Sequence, residues 1–200
     1  MPPLPPLRER KRRRAQEAIV DAAFSLFAER GFADVTVTEI AERAEVGRTT
    51  FFRYFGDKQE VLFAEERELV DRLLSLRAEP AAKPPTLREA LDQARAAVHT
   101  MCDAVTADAK RYSLHVQLVA DNPELHDRSE RKLLNLTDAM ITTLRAQGMP
   151  EREATLAAHL ALACFRAGKS VAGPDPEALT AAVEDAFELF LHTAPPGGAG

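Results

Sequence analysis

Apolar residues recur every three or four positions along almost the whole chain, which is the spacing of one face of an α-helix. In the first such segment, Val20, Phe24 and Phe27 form one apolar stripe, and Gly31 follows it. Glycine commonly ends a helix because it adopts a left-handed backbone at low cost. The pattern therefore predicts an α-helix over residues 8–30, and no segment of useful length alternates like a β-strand.

Two short helices and a longer one are predicted next. The first covers residues 38–44 with Thr38 as its N-cap, and the second covers residues 48–54 after a tight turn at 45–47. A longer helix is predicted over about residues 58–78, with Asp57 as its N-cap. The first three predicted helices form a compact unit, and the longer helix leads from it into the rest of the chain.

The remainder of the chain is also predicted to be helical, in segments separated by prolines and glycines. The first runs to about residue 105 from the capping-box pattern of Thr86 and Glu89, and the second covers 107–120. The third has about 24 residues, is opened by Asn122-Pro123 and is ended by Gly148, and the last two cover 151–171 and 176–192. The chain is therefore expected to be all-α. Its predicted organisation is a disordered Pro-rich start at 1–7, a first domain at 8–57, a larger helical domain at 58–193 and a disordered tail at 194–200.

The stretch VGRTTFFRYFGDK, residues 46–58, mixes aromatic and charged side chains as neither a core nor a purely solvated segment would. Two helices joined by a short turn containing glycine form a helix-turn-helix, whose second helix enters the major groove of DNA. One face of that helix must anchor it to its own domain, and Val46, Phe51 and Phe55 are placed for this role. The other face is predicted to contact double-stranded DNA.

The net charge of −5 argues weakly against DNA binding, but the charges are unevenly distributed. Residues 8–14 carry six positive charges and a single negative one, at Glu9. A local basic footprint matters more for DNA binding than the charge of the whole chain. We therefore expect Arg12 and Arg13 to contact phosphates or the minor groove, although a merely solvated helix start is the open alternative.

Other features indicate where the protein acts and what it lacks. There is no run of eighteen apolar residues that would cross a membrane, and the N-terminal MPPLPPL lacks the apolar core of a secretory signal. Cys102 and Cys164 form no CxxC pair, and the five histidines form no HExxH motif. We therefore expect a cytoplasmic protein with no catalytic residues, no metal, no cofactor and no membrane partner.

The run GFADVTVTEIAERAEVGRTTFFRYFGDKQEVL resembles the N-terminal domain of TetR-type transcriptional regulators. Its markers are Gly31-Phe32, the Val-Thr-Val-Thr-Glu-Ile-Ala stretch, the aromatic second helix and Lys58, and the resemblance covers roughly residues 8–63. It implies an all-α protein. A three-helix helix-turn-helix domain that binds DNA would be followed by a larger helical domain for ligand binding and dimerisation.

The resemblance implies a role for each matching position. Arg48 and Thr49 match positions that face base edges, and Thr38, Tyr54 and Lys58 match phosphate contacts. Arginine suits the first role because it grips guanine through two hydrogen bonds. The complete predicted DNA-binding set is Arg12, Arg13, Thr38, Arg48, Thr49, Thr50, Phe52, Arg53, Tyr54 and Lys58.

Two positions depart from the family pattern, and two others keep a second interpretation. Phe52 stands where the family usually has tyrosine, so a phosphate hydrogen bond is lost, although the ring can still touch a thymine methyl group. Gly47 stands where the family often has serine or threonine, and it caps the second helix less firmly. Arg53 is equally consistent with an exposed helix charge, and Tyr54 with a core position.

Residues 155–167, TLAAHLALACFRA, are apolar nearly all round, which predicts a helix buried on more than one side. Such a helix belongs either to an ordinary domain core or to a surface between subunits. The resemblance favours a homodimer built from the last two helices of each subunit, and a twofold dimer suits a palindromic operator. The predicted dimer-interface residues are Leu156, His159, Leu160, Ala163, Ala167, Leu179, Val183, Ala186 and Phe190.

The resemblance also implies a pocket for a small-molecule effector in the second domain, mostly apolar with a few polar groups. Its predicted lining is Val98, His99, Cys102, Leu114, His115, Gln117, Leu118, Met140, Leu144, Phe165 and Arg166, with Met101 and Leu136 as further candidates. Each of these residues could instead belong to an ordinary core. The effector is expected to be a moderately apolar organic molecule.

The expected function is that of a sequence-specific DNA-binding transcriptional regulator, a repressor that its effector releases from the operator. A ligand shifts such an equilibrium only by its differential affinity for the two states. One alternative is a constitutive dimeric DNA-binding protein without an effector, which a collapsed core in the second domain would favour. The other is a small helical enzyme that uses His99 or Cys102.

Overall fold

The computed structural model describes residues 7–64 and 83–193, and all regular structure within these ranges is α-helical. The all-α prediction is therefore confirmed. The chain divides into two compact units, Met1–Glu65 and Glu66–Gly200. Within the described ranges, no helix is both long and apolar enough to span a membrane.

The first unit contains four described helices: α1 (Leu7–Arg30), α2 (Val37–Arg43), α3 (Arg48–Tyr54) and α4 (Lys58–Leu62). α1 packs against α2 and α4, and α2 packs against α3. Aromatic and branched side chains fill the space between them, with Phe27, Ile40, Phe51 and Phe63 fully buried. As predicted, α1 ends at Gly31, which has a φ of 77° and donates its N–H to the Phe27 carbonyl at 2.9 Å.

The start of α2 differs from the prediction. Its N-cap is Thr36 and not Thr38, because Thr36 and Glu39 form a reciprocal capping box. The Glu39 backbone N–H donates to Thr36 Oγ1 at 3.3 Å, and the Thr36 backbone N–H donates to Glu39 Oε2 at 2.8 Å. Thr38 therefore lies inside the first turn of α2, where its side chain is half-buried.

α4 begins as predicted, with Asp57 as its N-cap accepting a hydrogen bond from the Glu60 backbone N–H at 2.8 Å. This helix belongs to the first compact unit, although we expected residue 58 to open the second domain. The part of the predicted 58–78 helix beyond residue 64 lies outside the described residues. So do the segments 1–6 and 194–200, for which disorder is predicted.

The second unit contains the other five described helices: α5 (Leu87–Thr106), α6 (Ala109–Asp121), α7 (Pro123–Ala146), α8 (Glu151–Ala172) and α9 (Pro176–Thr193). α8 packs against α5, α7 and α9. These three neighbours account for the apolar side chains on the buried faces of α8. A capping box between Thr86 and Glu89 begins α5, as their spacing indicates.

The pairing of α8 with α9 depends on a very close approach at Gly168. A Cβ atom placed on Gly168 would lie 2.5 Å from the Cα, N and Cγ2 atoms of Val183. Glycine therefore lets the two backbones approach, and this buries Leu179, Val183 and Phe187 in the core of the subunit. The predicted interface role of Leu179 and Val183 is wrong, because these side chains have no exposed surface to offer a partner.

Candidate nucleic-acid interface

α3 presents one face to solvent and one to the core of the first unit. Phe51 is fully buried and contacts Phe55, with 5.9 Å between ring centroids. Both rings fasten the short helix to the domain. Arg48, Thr49 and most of Phe52 lie on the opposite, exposed side. α3 thus has one buried face and one exposed face, as expected from the sequence.

The exposed side of α3 carries three kinds of contact group. Arg48 makes no hydrogen bond or ion pair with any described residue. Its guanidinium is therefore available. Phe52 is 48% exposed, which is unusual for a phenylalanine and leaves a flat apolar surface beside the polar groups. Thr49 is exposed and Thr50 is half-buried. This combination of groups can read base edges and thymine methyl groups in a major groove.

Arg53 and Tyr54 interact with one another at the end of α3. Arg53 Nη2 donates a hydrogen bond to the Tyr54 hydroxyl at 3.1 Å, and its guanidinium carbon lies 4.8 Å from the centroid of the tyrosine ring. Arg53 is exposed and Tyr54 is half-buried. The pair thus lies at the rim of the α3 surface, where an arginine and a hydroxyl suit a phosphate.

The turn between α2 and α3 holds one residue in a strained conformation. Glu45 has a φ of 54°, in the left-handed region that favours glycine. The turn closes through hydrogen bonds from Val46 N to the Ala41 carbonyl at 2.9 Å and from Glu45 N to the Glu42 carbonyl at 3.1 Å. Gly47 follows as the N-cap of α3 and supplies no side-chain hydrogen bond.

Two ion pairs fasten α2 to α1. Arg43 donates to Glu29 through two nitrogens, at 2.8 and 3.0 Å, and Arg30 Nη1 donates to Glu39 Oε1 at 2.8 Å. The hydrogen bond from Arg43 lowers the pKa of Glu29 to about 2, and that from Arg30 lowers the pKa of Glu39 to about 2. Glu39 therefore serves both the capping box and the link to α1.

Lys58 is the first residue of α4, and its side chain contacts the loop that follows α1. Its ammonium group donates to the carbonyl oxygens of Phe32, Ala33 and Val35 at 2.7, 3.2 and 2.8 Å. The phosphate contact of Lys58 stays a prediction.

The basic segment near the N-terminus is the first two turns of α1. Glu9 accepts from Arg12 Nη2 at 2.6 Å and from Arg13 Nε at 3.3 Å, which lowers the pKa of Glu9. Both arginines remain exposed, as do their basic neighbours Arg8, Arg10, Lys11 and Arg14. The segment therefore presents positive charge on a helix.

The second unit carries an exposed apolar stripe on its last two helices. Leu156, Ala163 and Ala167 are exposed on α8, together with His159, while Leu160, Ala186 and Phe190 are half-buried. Two residues that we did not predict extend the stripe: Val171 is 81% exposed and Leu189 is 69% exposed. The spacing 163, 167 and 171 on one helix was the signal for Val171.

A small apolar cavity lies between α5, α7 and α8. Its volume is about 20 Å³, which is room for about one water molecule. Of the predicted lining, Val98, Met101, Leu136, Met140 and Phe165 are brought together there. The residues that sequence reasoning missed are Leu133, Thr137, Ala158, Ala161 and Leu162, which share the helix faces of Leu136 and Phe165 at intervals of three and four.

The polar candidates for the pocket lie elsewhere. His99 Nε2 is 2.5 Å from Glu184 Oε2, Arg166 pairs with Glu130, and Gln117 is exposed. The other predicted lining residues do not line this cavity either. Leu118 and Leu144 are buried, and Leu114 and His115 are half-buried.

The two cysteine thiols are buried. Burial raises the pKa of Cys102 to about 12 and also raises the pKa of Cys164. A thiol is nucleophilic only as the thiolate, so neither cysteine is set up for catalysis at neutral pH.

The geometry of the first unit defines a class of protein, the helix-turn-helix proteins, which bind DNA through the second helix of the motif. Comparison with known proteins agrees with this class. Residues 19–64 match the protein-family model described as "Bacterial regulatory proteins, tetR family". The HTH-type transcriptional regulator TcmR of Streptomyces glaucescens is 29% identical over 209 residues, covering 96% of this chain and 92% of that protein.

Solved structures show the same fold over nearly the whole chain. The complex of SmeT, a repressor from Stenotrophomonas maltophilia, with triclosan has a TM-score of 0.58 at 20% identity and covers 93% of this chain and 99% of that one. FadR from Thermus thermophilus, in complex with lauroyl-CoA, has a TM-score of 0.50 at 22% identity and covers 92% and 100%. Residues 19–64 thus match the helix-turn-helix domain of the tetR family, and the chain over nearly its whole length is similar to a transcriptional regulator.

Proposed function

We propose that the chain is a homodimeric repressor that binds a palindromic operator, with α3 of each subunit in the major groove. The observation that carries this proposal is the exposed face of α3. Arg48, Thr49 and Phe52 face solvent there, on a helix held in place by the buried Phe51 and Phe55. Arginine beside an apolar ring suits a site in which a G·C pair neighbours a thymine methyl group.

The rest of the proposed DNA surface contributes phosphate contacts. Thr38 lies in the first turn of α2, Arg53 and Tyr54 lie at the end of α3, and Arg12 and Arg13 lie on the exposed basic turns of α1. Such contacts fix the position of the protein on DNA without reading sequence. A regulator that meets chromosomal DNA in this way would act in the cytoplasm, and we propose no catalytic role for it.

Dimerisation is proposed through the exposed apolar stripe of α8 and α9. Leu156, Val171 and Leu189 are large apolar side chains with 46%, 81% and 69% of their surface exposed. Contiguous apolar surface of this kind commonly marks a protein interface. Ala163 and Ala167 lie between them on α8 and would allow a close helix-to-helix approach. The stripe would thus pair with its own copy about a twofold axis.

The proposed effector site is the cavity between α5, α7 and α8. At about 20 Å³ it must enlarge before an organic molecule enters, since ligand pockets commonly measure several hundred Å³. Met101 and Met140 are flexible side chains able to move aside, and the Thr137 hydroxyl is a polar group in the lining. A moderately apolar organic molecule suits this lining. Two structural neighbours are named as complexes with triclosan and with lauroyl-CoA.

The small size of the cavity favours a second candidate function. If the second unit serves only to dimerise the protein, the cavity between α5, α7 and α8 need not enlarge. The chain would then be a constitutive DNA-binding regulator. Release of the operator by a ligand distinguishes the ligand-responsive repressor from the constitutive regulator. Ligand binding lowers the operator affinity of the first and leaves that of the second unchanged.

The first experiment measures binding to DNA from upstream of the protein's own gene by fluorescence anisotropy, as a salt series. We expect Arg48→Ala to weaken specific binding by about 5- to 150-fold, the equivalent of 1–3 kcal/mol, while binding to unrelated DNA changes little. Arg145→Ala removes an exposed arginine of α7 and should leave both unchanged. Equal losses on specific and unrelated DNA would contradict a base contact by Arg48.

The second experiment tests the effector. A panel of apolar organic compounds is added to the protein–operator complex, and release of labelled DNA is followed. Release by one compound that Thr137→Val or Ala161→Phe abolishes would support the cavity as the effector site. If no compound in a broad panel changes operator affinity, the constitutive function is the correct one.

A further inference from the structure

Phe52 is a large apolar side chain on a surface that is otherwise polar and basic. It lies on α3 with 48% of its surface exposed, whereas phenylalanine is more often buried. α3 contains no acidic residue, and the other exposed residues of this helix are Arg48, Thr49 and Arg53. An exposed ring on a basic face indicates a partner that carries negative charge and also offers an apolar group.

The ring occupies the middle of the exposed face of α3. Successive helix residues are rotated by about 100°, so Phe52 lies about 40° from Arg48 and about 60° from Thr49 around the helix axis. Phe52 is also about 6 Å further along the axis than Arg48, and helix side chains lean towards the N-terminus. The ring therefore lies over the turn that carries Arg48, and a surface that contacts Arg48 is within its reach.

The orientation of the Phe52 ring is fixed by its neighbour Phe51. The two ring centroids are 5.5 Å apart with an interplanar angle of 82°, an edge-to-face arrangement that aromatic pairs favour. Phe51 is fully buried and contacts Phe55. The core of the first unit thus holds the exposed ring in place, which reduces the side-chain entropy lost when the ring meets a partner.

The major groove of DNA offers the partner group that this surface requires. The C5-methyl group of thymine is an apolar group on the base edges of that groove, and the phosphates supply the negative charge. An acidic protein surface would pair with the arginines but offer nothing to the ring, and a second copy of α3 would bring like charges together. Phe52 has no hydroxyl group, so it cannot hydrogen-bond a phosphate.

We infer that Phe52 is a specificity-determining residue that recognises one C5-methyl group in each half of the operator. The inference rests on the proposed operator binding, in which Arg48 contacts a guanine. Base pairs are about 3.4 Å apart along DNA, so the 6 Å between the two residues on α3 spans about one or two base-pair steps. The methyl group therefore lies one or two base pairs from that guanine, and the ring recognises the methyl group itself rather than the base that carries it.

The test uses a DNA duplex that the full-length wild-type protein selects from a random library, so no operator has to be assumed. The guanine is the position whose preference Arg48→Ala loses. Each nearby thymine is then replaced in turn by deoxyuridine, which pairs with adenine but lacks the methyl group. We expect one sensitive thymine per half-site, whose replacement weakens binding about fourfold, or about 15-fold when both half-sites are changed, as loss of one or two buried methyl groups implies.

A second pair of duplexes carries cytosine or 5-methylcytosine at the sensitive position. The two bases differ by the same methyl group on the same major-groove edge, so we expect 5-methylcytosine to bind about fourfold more tightly than cytosine. Equal affinity for these two duplexes would overturn the inference. So would equal affinity for thymine and deoxyuridine at every position near the guanine.

Variants of the protein connect the methyl effect to Phe52. Phe52→Ala should bind the thymine and deoxyuridine duplexes equally, whereas Phe52→Leu keeps a large apolar side chain and should retain most of the difference. Leu134→Ala is the matched control, because Leu134 is similarly exposed, at 46%, on α7. The control should keep both the wild-type affinity and the fourfold difference. A fourfold difference that persists in Phe52→Ala would contradict the role of Phe52.

Failure of this inference and failure of the proposed function give different results. If the selection enriches no sequence, the proposed operator binding is wrong, and the methyl contact is wrong with it. If a sequence is enriched but tolerates deoxyuridine throughout, operator binding stands and only the role of Phe52 is wrong. Thermal unfolding shows whether Phe52→Ala is folded. If it is not, Phe52→Leu and the deoxyuridine series on the wild type decide the question.

Discussion

The sharpest structural prediction concerns Gly168, where α8 and α9 approach most closely. In Gly168→Ala, the new methyl group would lie 2.5 Å from the Cα and N atoms of Val183 and from its Cγ2 atom. Carbon atoms in contact normally lie about 3.5–4.0 Å apart, so the helices must separate by about 1 Å. Val183 and Phe187 are fully buried, so the separation disturbs the core of the subunit.

Two opposing effects set the magnitude of the change. Replacing glycine by alanine inside a helix is favourable by about 1 kcal/mol when space is available. Inserting a methyl group into a packed core costs about 1–3 kcal/mol, and here the obstacle is partly backbone, which cannot rotate away. Because the obstacle is partly backbone, the cost lies in the upper part of this range, about 2–3 kcal/mol. We therefore expect Gly168→Ala to lower the free energy of unfolding by about 1–2 kcal/mol in total.

The assay is denaturant unfolding at matched protein concentrations, because the proposed dimerisation would make apparent stability depend on concentration. Gly56→Ala is the control, since a Cβ atom at Gly56 meets nothing within 4 Å. The double variant with Val183→Ala removes Cγ2 but leaves Cα and N in place, so it should not restore stability. Equal or greater stability of Gly168→Ala would refute the close approach of α8 and α9.

Two further predictions concern the first unit. Glu45→Gly should stabilise the first unit by about 0.5–1 kcal/mol, because glycine adopts the left-handed conformation at φ 54° without strain. Glu42→Gly, inside α2, should destabilise it by about 1 kcal/mol. Thermal unfolding measures both variants, and a loss of stability in Glu45→Gly would contradict the strained turn. The pKa values of Glu29 and Glu39 are lowered to about 2, so their stabilising contribution is complete above about pH 4.5 and is lost as the pH falls towards 2. Unfolding measured between these pH values should be less pH-dependent in Glu39→Gln than in the wild type, and identical profiles would show that the ion pair with Arg30 contributes nothing.

Helix periodicity made most of the fold predictable. The bounds of α1, α3 and the five helices of the second unit agree with the predicted ones within a few residues. Caps with distinct local chemistry were also readable, as Asp57 and the Thr86–Glu89 box show. The start of α2 was misassigned because two threonines compete there, although the Thr36–Glu39 spacing carried the correct signal.

Residues with more than one suitable role were less predictable. Lys58 is a good phosphate ligand by residue type, and only the folded loop shows three carbonyl oxygens around its ammonium group. Leu179 and Val183 have helical spacing that suits either a core or an interface. Their burial follows from the contact at Gly168, far away in the sequence.

By itself, the sequence determined the local features of this protein: helical segments, caps, the helix-turn-helix and the division of α3 into aromatic anchors and exposed contact groups. These depend on neighbours three or four residues apart, which are visible in the printed chain. Only the tertiary structure decided which apolar stripe faces inward, how small the cavity is and which loop Lys58 contacts. Those properties depend on distances between residues remote in sequence, because packing and hydrogen bonding act through space.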